Sequence, residues 1–450
     1  MGSPVWAVTR KEFAVNRSRW IAPVATLFFL ASVAAPAAGV DYPPVITAGP
    51  PAPAVVWTLE DVTDIALKNH PLVKAADADT VAAEARKGQA ESAWYPSLNL
   101  TTGYSRVRAG NGTSQQDRTT SNEFIGGTAS WMLYDFGRTG ATVGRADALA
   151  AASRETAVTT RDDVVFVAKV AFYNVLRTQK TMEFQRENLR QRESLLRQAT
   201  AFYEAGIRAR IDVARAEANL YDARARVSQA ENDLRVARIT LLQRIGVDGP
   251  PEFGLSGQLP EMVLPGTLPD WIAEAEQNRP ELRTLLEQER AAVESLRFAR
   301  SNYYPYLSGA AEYSYGADNF PLQENSTVAV TLNYPLFSGF QTREQVKEAS
   351  ATISSTRYQI TEARRRVRLE VERSAYGVQE AQERLEARKK EREASEENLR
   401  LATARYEVGA GDIIEMTDAQ AQMVQSDTET INSAFDYAVS HASLLRAMGR

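Results

Sequence analysis

Trp94-Tyr-Pro-Ser-Leu-Asn-Leu-Thr-Thr-Gly-Tyr104 sets a turn signal ahead of a stretch in which Leu98, Leu100, Thr102 and Tyr104 alternate with Ser97, Asn99, Thr101 and Gly103. It returns 209 positions later as Tyr303-Tyr-Pro-Tyr-Leu-Ser-Gly-Ala-Ala-Glu-Tyr313. Thr58-Leu59 and Asn69-His-Pro71 likewise return as Thr267-Leu268 and Asn278-Arg-Pro280, while Tyr203-Glu-Ala-Gly206 returns after 203 positions as Tyr406-Glu-Val-Gly409. The offset falls by six only between the two strands of each half, so one shorter loop accounts for it. A period near 200 residues is far above the ~20 to 50 of solenoids and propellers, and marks duplication of one large unit.

Each unit contains a second alternating run, Ile125-Gly-Gly-Thr-Ala-Ser-Trp131 or Val328-Ala-Val-Thr-Leu-Asn-Tyr334. The spacing predicts strands at about 97–106, 123–134, 306–315 and 326–334. Two-faced strands of this length with aromatics near their ends suit a membrane β-barrel, with one face to lipid and the other to water. A soluble sheet with one buried face has the same pattern, but no other predicted element covers these strands. Four strands cannot close, and an open edge is not tolerated in lipid, so several chains share one barrel. Cyclic symmetry gives eight strands for a dimer or twelve for a trimer.

Long helices follow the strands. There is no proline from Pro96 to Pro250, nor after Pro335. Val164, Val167, Ala168, Ala171, Phe172 and Val175 form an amphipathic stripe. One rod runs from about 138 to 205 without a breaker and its counterpart from about 341 to 408, each on the order of 100 Å at 1.5 Å per residue. Glycines at 206 and 409 supply the left-handed residue that ends a helix, and second helices return to about 246 and 448.

Residues 1–38 read as an export signal: Arg10, Lys11, Arg17 and Arg19 precede an apolar run from Ile21 to Ala35. An inner-membrane anchor is the alternative, though the run is shorter than the ~18 to 20 residues that span a bilayer. Removing this segment moves the formal charge from -5 to -8, which disfavours nucleic acid as a partner. A proline-rich leader occupies 39–55. The repeats then span 56–250 (helix, two strands, helical hairpin 138–246) and 267–450 (helix, two strands, hairpin 341–448), with a linker at 251–266. There is no cysteine, and the two histidines, His70 and His441, read as a surface residue before a proline, in the slot Arg279 fills in the other repeat, and a packed or solvated helix residue. No nucleophile, phosphate-loop or metal-ligand motif is present, so the sequence predicts no enzyme, cofactor or metal site.

Given the duplication, Trp94-Tyr-Pro96 and Tyr303-Tyr-Pro305 ahead of the first strands, Trp131-Met-Leu-Tyr-Asp-Phe-Gly137 and Tyr334-Pro-Leu-Phe-Ser-Gly339 after the second strands, and the two Tyr-Glu-x-Gly turns, the chain resembles the TolC-like outer-membrane efflux protein family over about residues 56–449. The resemblance implies a mainly α fold with a short β part. Duplicated helical hairpins would form a trimeric periplasmic α-barrel, continued by a 12-stranded outer-membrane β-barrel with four strands per chain. It implies an outer-membrane channel component of a tripartite efflux or type I secretion system: a passive conduit from periplasm to exterior, joined through a periplasmic adaptor to an inner-membrane transporter that supplies the energy. A soluble periplasmic coiled-coil scaffold or adaptor is the competing reading, and leaves the two-faced strands unexplained.

The resemblance also assigns sites. The turns at Gly206 and Gly409 become periplasmic tips, with Glu415 and Asp418 lining the entrance constriction and Asp212 in polar links between hairpins. Asp412-Ile-Ile-Glu415 equally has the spacing of a helix capping box. The basic residue the family carries just after the second tip glycine is absent, Gly411 standing there. Arg208 and Arg210 are expected to pair with Asp412 or Glu415 of a neighbouring hairpin, solvated surface charges being the alternative. Gly206, Ile207, Val408, Gly409 and Ala410 are the expected adaptor contact, and could instead close their turns by packing. Tyr104, Trp131, Tyr313 and Tyr334 are expected at the lipid interface, with core packing as the alternative.

Overall fold

The computed structural model describes residues 56–109, 118–257, 265–317 and 323–450. The export-signal and leader expectations lie outside them, as do the tips of the strand-joining loops and residues 258–264 of the linker.

Each repeat opens with two helices where the sequence predicted one: α1 (Leu59–Asn69) and α2 (Pro71–Glu91), then α5 (Leu268–Asn278) and α6 (Pro280–Ser301). The break falls at the residue before proline, which is pushed out of the helical region; His70 has ψ 127° and Arg279 ψ 118°. Reciprocal capping boxes start α1 and α5: the Thr58 amide donates to Asp61 and the Thr267 amide to Asp270, both at 2.9 Å. A two-residue parallel bridge joins β1 (Val56–Trp57) to β4 (Gly254–Leu255), with Trp57 stacked on Phe253 at 4.6 Å.

The residues before the two prolines differ in burial. His70 is half-buried and N-caps α2 through Nδ1, which accepts from the Leu72 amide at 3.2 Å. Arg279 is not on the surface; only 5% exposed, it donates to Glu370 at 2.6 and 2.9 Å and to the Ala447 carbonyl at 3.1 Å. It satisfies a carbonyl that the end of a helix leaves open. His441 is half-buried.

The strands are longer than predicted. β2 (Ser97–Ala109), β3 (Arg118–Tyr134), β5 (Tyr306–Ala317) and β6 (Gln323–Asn333) form one antiparallel sheet in the order β2-β3-β5-β6. Polar strand ends toward the loops hid these extensions, because backbone pairing there needs no apolar residue. Register puts Leu98, Leu100, Ile125, Ala129, Trp131, Ala311, Tyr313, Val328, Val330 and Leu332 on one face, and Asn99, Thr101, Thr128, Glu312, Asn325 and Thr327 on the other. The larger apolar side chains are exposed and, among the described residues, no α-helix packs over the sheet. Among the described residues, no helix is long and apolar enough to cross a membrane.

Helices α3 (Arg138–Glu204) and α7 (Gln341–Glu407) have 67 residues each, and their return helices α4 (Arg210–Ile245) and α8 (Ile413–Met448) have 36 each. A return helix covers only about half its rod, and α2 and α6 run along the remainder. The largest core joins Val62, Phe172, Val175, Leu241 and Ile245 to Phe435 and Ala438 of α8; the corresponding core of the second repeat contains Ala275, Val371, Leu444 and Met448. Small residues such as Ala168, Ala237 and Ala438 let the helix axes approach.

Arg279→Ala removes the buried partner of a half-exposed carboxylate, Glu370, and a helix-end cap, and is expected to destabilise the fold by about 2 kcal/mol. A fall in the thermal unfolding midpoint in detergent checks this, with His70→Ala falling less.

Candidate functional site

At the far end of the rods the sequence forces two tight reversals. Gly206 (φ 71°) and Gly409 (φ 78°) adopt the left-handed conformation. The Ile207 amide donates to Phe202 O and the Ala410 amide to Arg405 O, both at 2.9 Å, which caps the carbonyl ends of α3 and α7. Gly206, Ile207, Val408, Gly409 and Ala410 are all exposed, so Ile207 and Val408 do not close their turns by packing.

The two tips of one chain meet around Tyr406. Its side chain is fully buried among Leu195, Ala199, Ala216, Ile413 and Met416, and the Phe202 ring centroid lies 6.3 Å away. Its repeat counterpart, Tyr203, is exposed. The Tyr406 hydroxyl has no hydrogen-bond partner among the described residues. Burial raises its pKa and the charge of Asp212 adds to the rise, while Arg208 opposes it. Asp212 is buried at 8% exposure in the first turn of α4, where a carboxylate suits the positive end of the helix dipole.

Arg208 makes a contact that the sequence did not predict. Instead of a carboxylate it takes two backbone carbonyls of the second tip, Tyr406 O at 3.0 Å and Gly411 O at 3.1 Å, and its guanidinium lies 4.8 Å from the Tyr406 ring centroid. Within one copy, neither Asp412 nor Glu415 pairs with Arg208 or Arg210 among the described residues. Asp412 caps α8, accepting from the Glu415 amide at 2.8 Å, and Glu415 pairs with Arg405 at 3.2 Å. Arg210 is exposed, with no polar partner among the described residues. Asp418 is exposed one turn beyond Glu415, so both carboxylates lie on one side of α8.

Magnitudes rank these contacts. An exposed pair such as Arg405 with Glu415 contributes ~0 to 1 kcal/mol. A guanidinium on two carbonyls contributes ~1.5 to 3 kcal/mol per charged hydrogen bond. Arg208 is therefore the stronger contact, and it joins the first tip to the second, whereas the pair of Arg405 with Glu415 lies within the second tip. Tyr406 and Arg192 were missed as site residues. Arg192, 7% exposed, donates to Gln420 of α8 and lines a polar groove with Asn188, Asn219, Asp222 and Arg226. The only signal for Tyr406 was the repeated Tyr-Glu-x-Gly, and repetition does not tell which copy is buried.

At the sheet, the Trp131 indole donates to Trp94 O at 2.9 Å near the helix end. Tyr104 lies toward the loop end opposite Glu123, Tyr313 and Tyr315 share a 2.7 Å contact between hydroxyls, and Tyr334 is exposed just past β6.

Residues 62–247 and 271–450 match the family described as outer membrane efflux protein. Protein CyaE of Bordetella pertussis is 26% identical over 431 residues, covering 91% of this chain and 90% of that protein. Outer membrane protein TolC of Vibrio cholerae is 24% identical, covering 88% and 92%. Among solved structures, a membrane protein from Pseudomonas aeruginosa superposes with a TM-score of 0.77 at 22% identity, covering 90% of this chain and 98% of that one. The open-state MtrE channel of Neisseria gonorrhoeae gives 0.75 at 19% identity, covering 87% and 88%. With both halves of the duplication matched, the chain belongs to the outer membrane efflux protein family.

Proposed function

We propose that three copies of this chain close one twelve-stranded barrel in the outer membrane and continue it as a helical conduit into the periplasm, through which cargo leaves passively. The observation that carries this is the four-stranded sheet whose apolar face, among the described residues, is covered by no α-helix and whose outer edges are unpaired there. Lipid covers such a face, and only closure satisfies such edges. The chain is an outer-membrane channel protein; a soluble scaffold would have no use for the uncovered face. From Leu98 to Tyr104 the apolar run rises about 20 Å at ~3.3 Å per residue, close to the ~25 Å band of such barrels.

The tips would form the periplasmic mouth. Glu415 and Asp418, repeated by threefold symmetry, would make two stacked acidic rings that favour cations, and Arg208 would hold the two tips of each copy together. The exposed turns, with Ile207 and Val408 open to solvent, would receive a periplasmic adaptor, which an inner-membrane transporter completes as an efflux or type I secretion system. The matched relatives support this reading. It assigns the chain no catalysis.

In planar lipid bilayers the purified protein is expected to form cation-selective channels, and Glu415→Ala with Asp418→Ala to lose most of that selectivity. Well-folded protein without channels would sink the conduit reading. Arg208→Ala is expected to raise conductance, and to speed amide exchange across residues 405–416 by on the order of tenfold or more, the equivalent of at least ~1.4 kcal/mol. Arg405→Ala should change either much less; equal effects would show that Arg208 is not the principal tie.

A further inference from the structure

The corner where a strand gives way to a rod occurs twice, and only one of the two is seated within the chain. At the first corner Phe136 stacks on Tyr304 of the second repeat, with ring centroids 5.4 Å apart and planes at 12°. Tyr134 meets Phe136 edge-on at 4.7 Å, and the Arg138 guanidinium lies over the Tyr306 ring at 5.1 Å. The second corner is built alike. Phe337 stands where Tyr134 does and meets Phe340 edge-on at 5.4 Å. Two successive residues are left-handed at each corner, Phe136-Gly137 and Gly339-Phe340, the same pair in reversed order. A phenylalanine in that conformation is uncommon, and its appearance at both corners points to rings held in place for contact.

Among the described residues, the second corner's rings have no aromatic partner beyond each other. Its repeat-equivalent seat is Tyr95, which corresponds to Tyr304 and has no ring partner among the described residues either. Phe340 is 63% exposed against 45% for Phe136, and Tyr95 is 71% exposed against 52% for Tyr304. The sheet shows the same asymmetry: β3 pairs with β5 inside the chain, whereas β6 and β2 are its free edges.

We propose that the second corner of one copy seats on Tyr95 of the next copy, with Phe340 stacked on that ring, and that β6 adds to the next copy's β2 in the register the internal pair dictates. Gly127 stands opposite Tyr313 and Ala129 opposite Ala311 in the internal pair. Carried through the repeat offsets, this sets Val330 opposite Tyr104 and Leu332 opposite Thr102 of the neighbouring copy. Both pairs keep apolar face with apolar face, as strand register requires. Arg138 and Tyr306 become Gln341 and Ser97 at the new contact, so the cation–π contact does not recur and the aromatic stack is the specific element. Such a head-to-tail contact closes into a ring. The inference rests on the three-copy reading and adds which residues make the seam.

The absence of cysteine makes the test direct. Tyr95→Cys with Phe340→Cys in one chain, treated in outer membranes with a short bis-maleimide, is expected to give two- and three-chain bands on a denaturing gel, and neither single variant should. Phe136→Cys with Tyr304→Cys is the internal control and should stay at one-chain mass while losing its free thiols. Val330→Cys with Tyr104→Cys, as directly opposite residues, should oxidise to a disulfide between copies, and Val330→Cys with Leu98→Cys should not. If native mass reports a trimer and the internal control reacts, but the two inter-copy pairs stay at one-chain mass, the seam is overturned and the three-copy reading stands. A monomer by native mass overturns both.

Discussion

An antiparallel sheet with an apolar face turned away from its own chain and two unpaired edges is the constraint on which the rest depends. In water such a face gathers other apolar surface, and such edges pair with whatever strand is offered. In lipid the face is at rest, but each unpaired amide or carbonyl is costly. The β2-β3-β5-β6 sheet meets both conditions only when further copies continue it. The corners below the sheet then have a purpose beyond connection: they set the direction in which each rod leaves, and Asp135 fixes the first by accepting from the amides of Gly137 and Thr139.

The rods follow a second rule, that a helix of 67 residues cannot bury its whole length against one partner. Each is covered in relay, by α2 or α6 at the strand end and by α4 or α8 at the tip end. Arg279, Glu370 and Arg446 tie the second rod to its neighbours where the relay changes hands; Arg446 also reaches Asp163 of the first rod. Polar residues are concentrated nearer the tips, where Arg192 crosses to Gln420 and Arg208 crosses to the second tip.

The tip illustrates how far residue type determines role. A guanidinium near two carboxylates suggests an ion pair, yet Asp412 is occupied by its own helix start and Glu415 by Arg405. Arg208 instead reaches the Tyr406 carbonyl, which also accepts from the Gly409 amide, and the Gly411 carbonyl. The missing basic residue at Gly411 fits this arrangement: Gly411 offers Arg208 a carbonyl, and an added Cβ there would come within 3.1 Å of the Arg405 side chain.

The sequence alone determined the duplication, the strand pairs, the unbroken rods and the glycines that end them. Each of these is written in local periodicity or in a residue with a restricted backbone. It also placed the tip residues next to one another, because sequence neighbours of a tight turn stay neighbours. Only the tertiary structure decided that Tyr406 is buried while Tyr203 is not, that Arg279 is enclosed while the matching His70 caps a helix, and that Arg208 reaches two carbonyls of the second tip of its own chain. A duplicated sequence gives two equivalent chemistries, but the two repeats face different neighbours, and burial and hydrogen bonding are set by those neighbours rather than by the residues themselves.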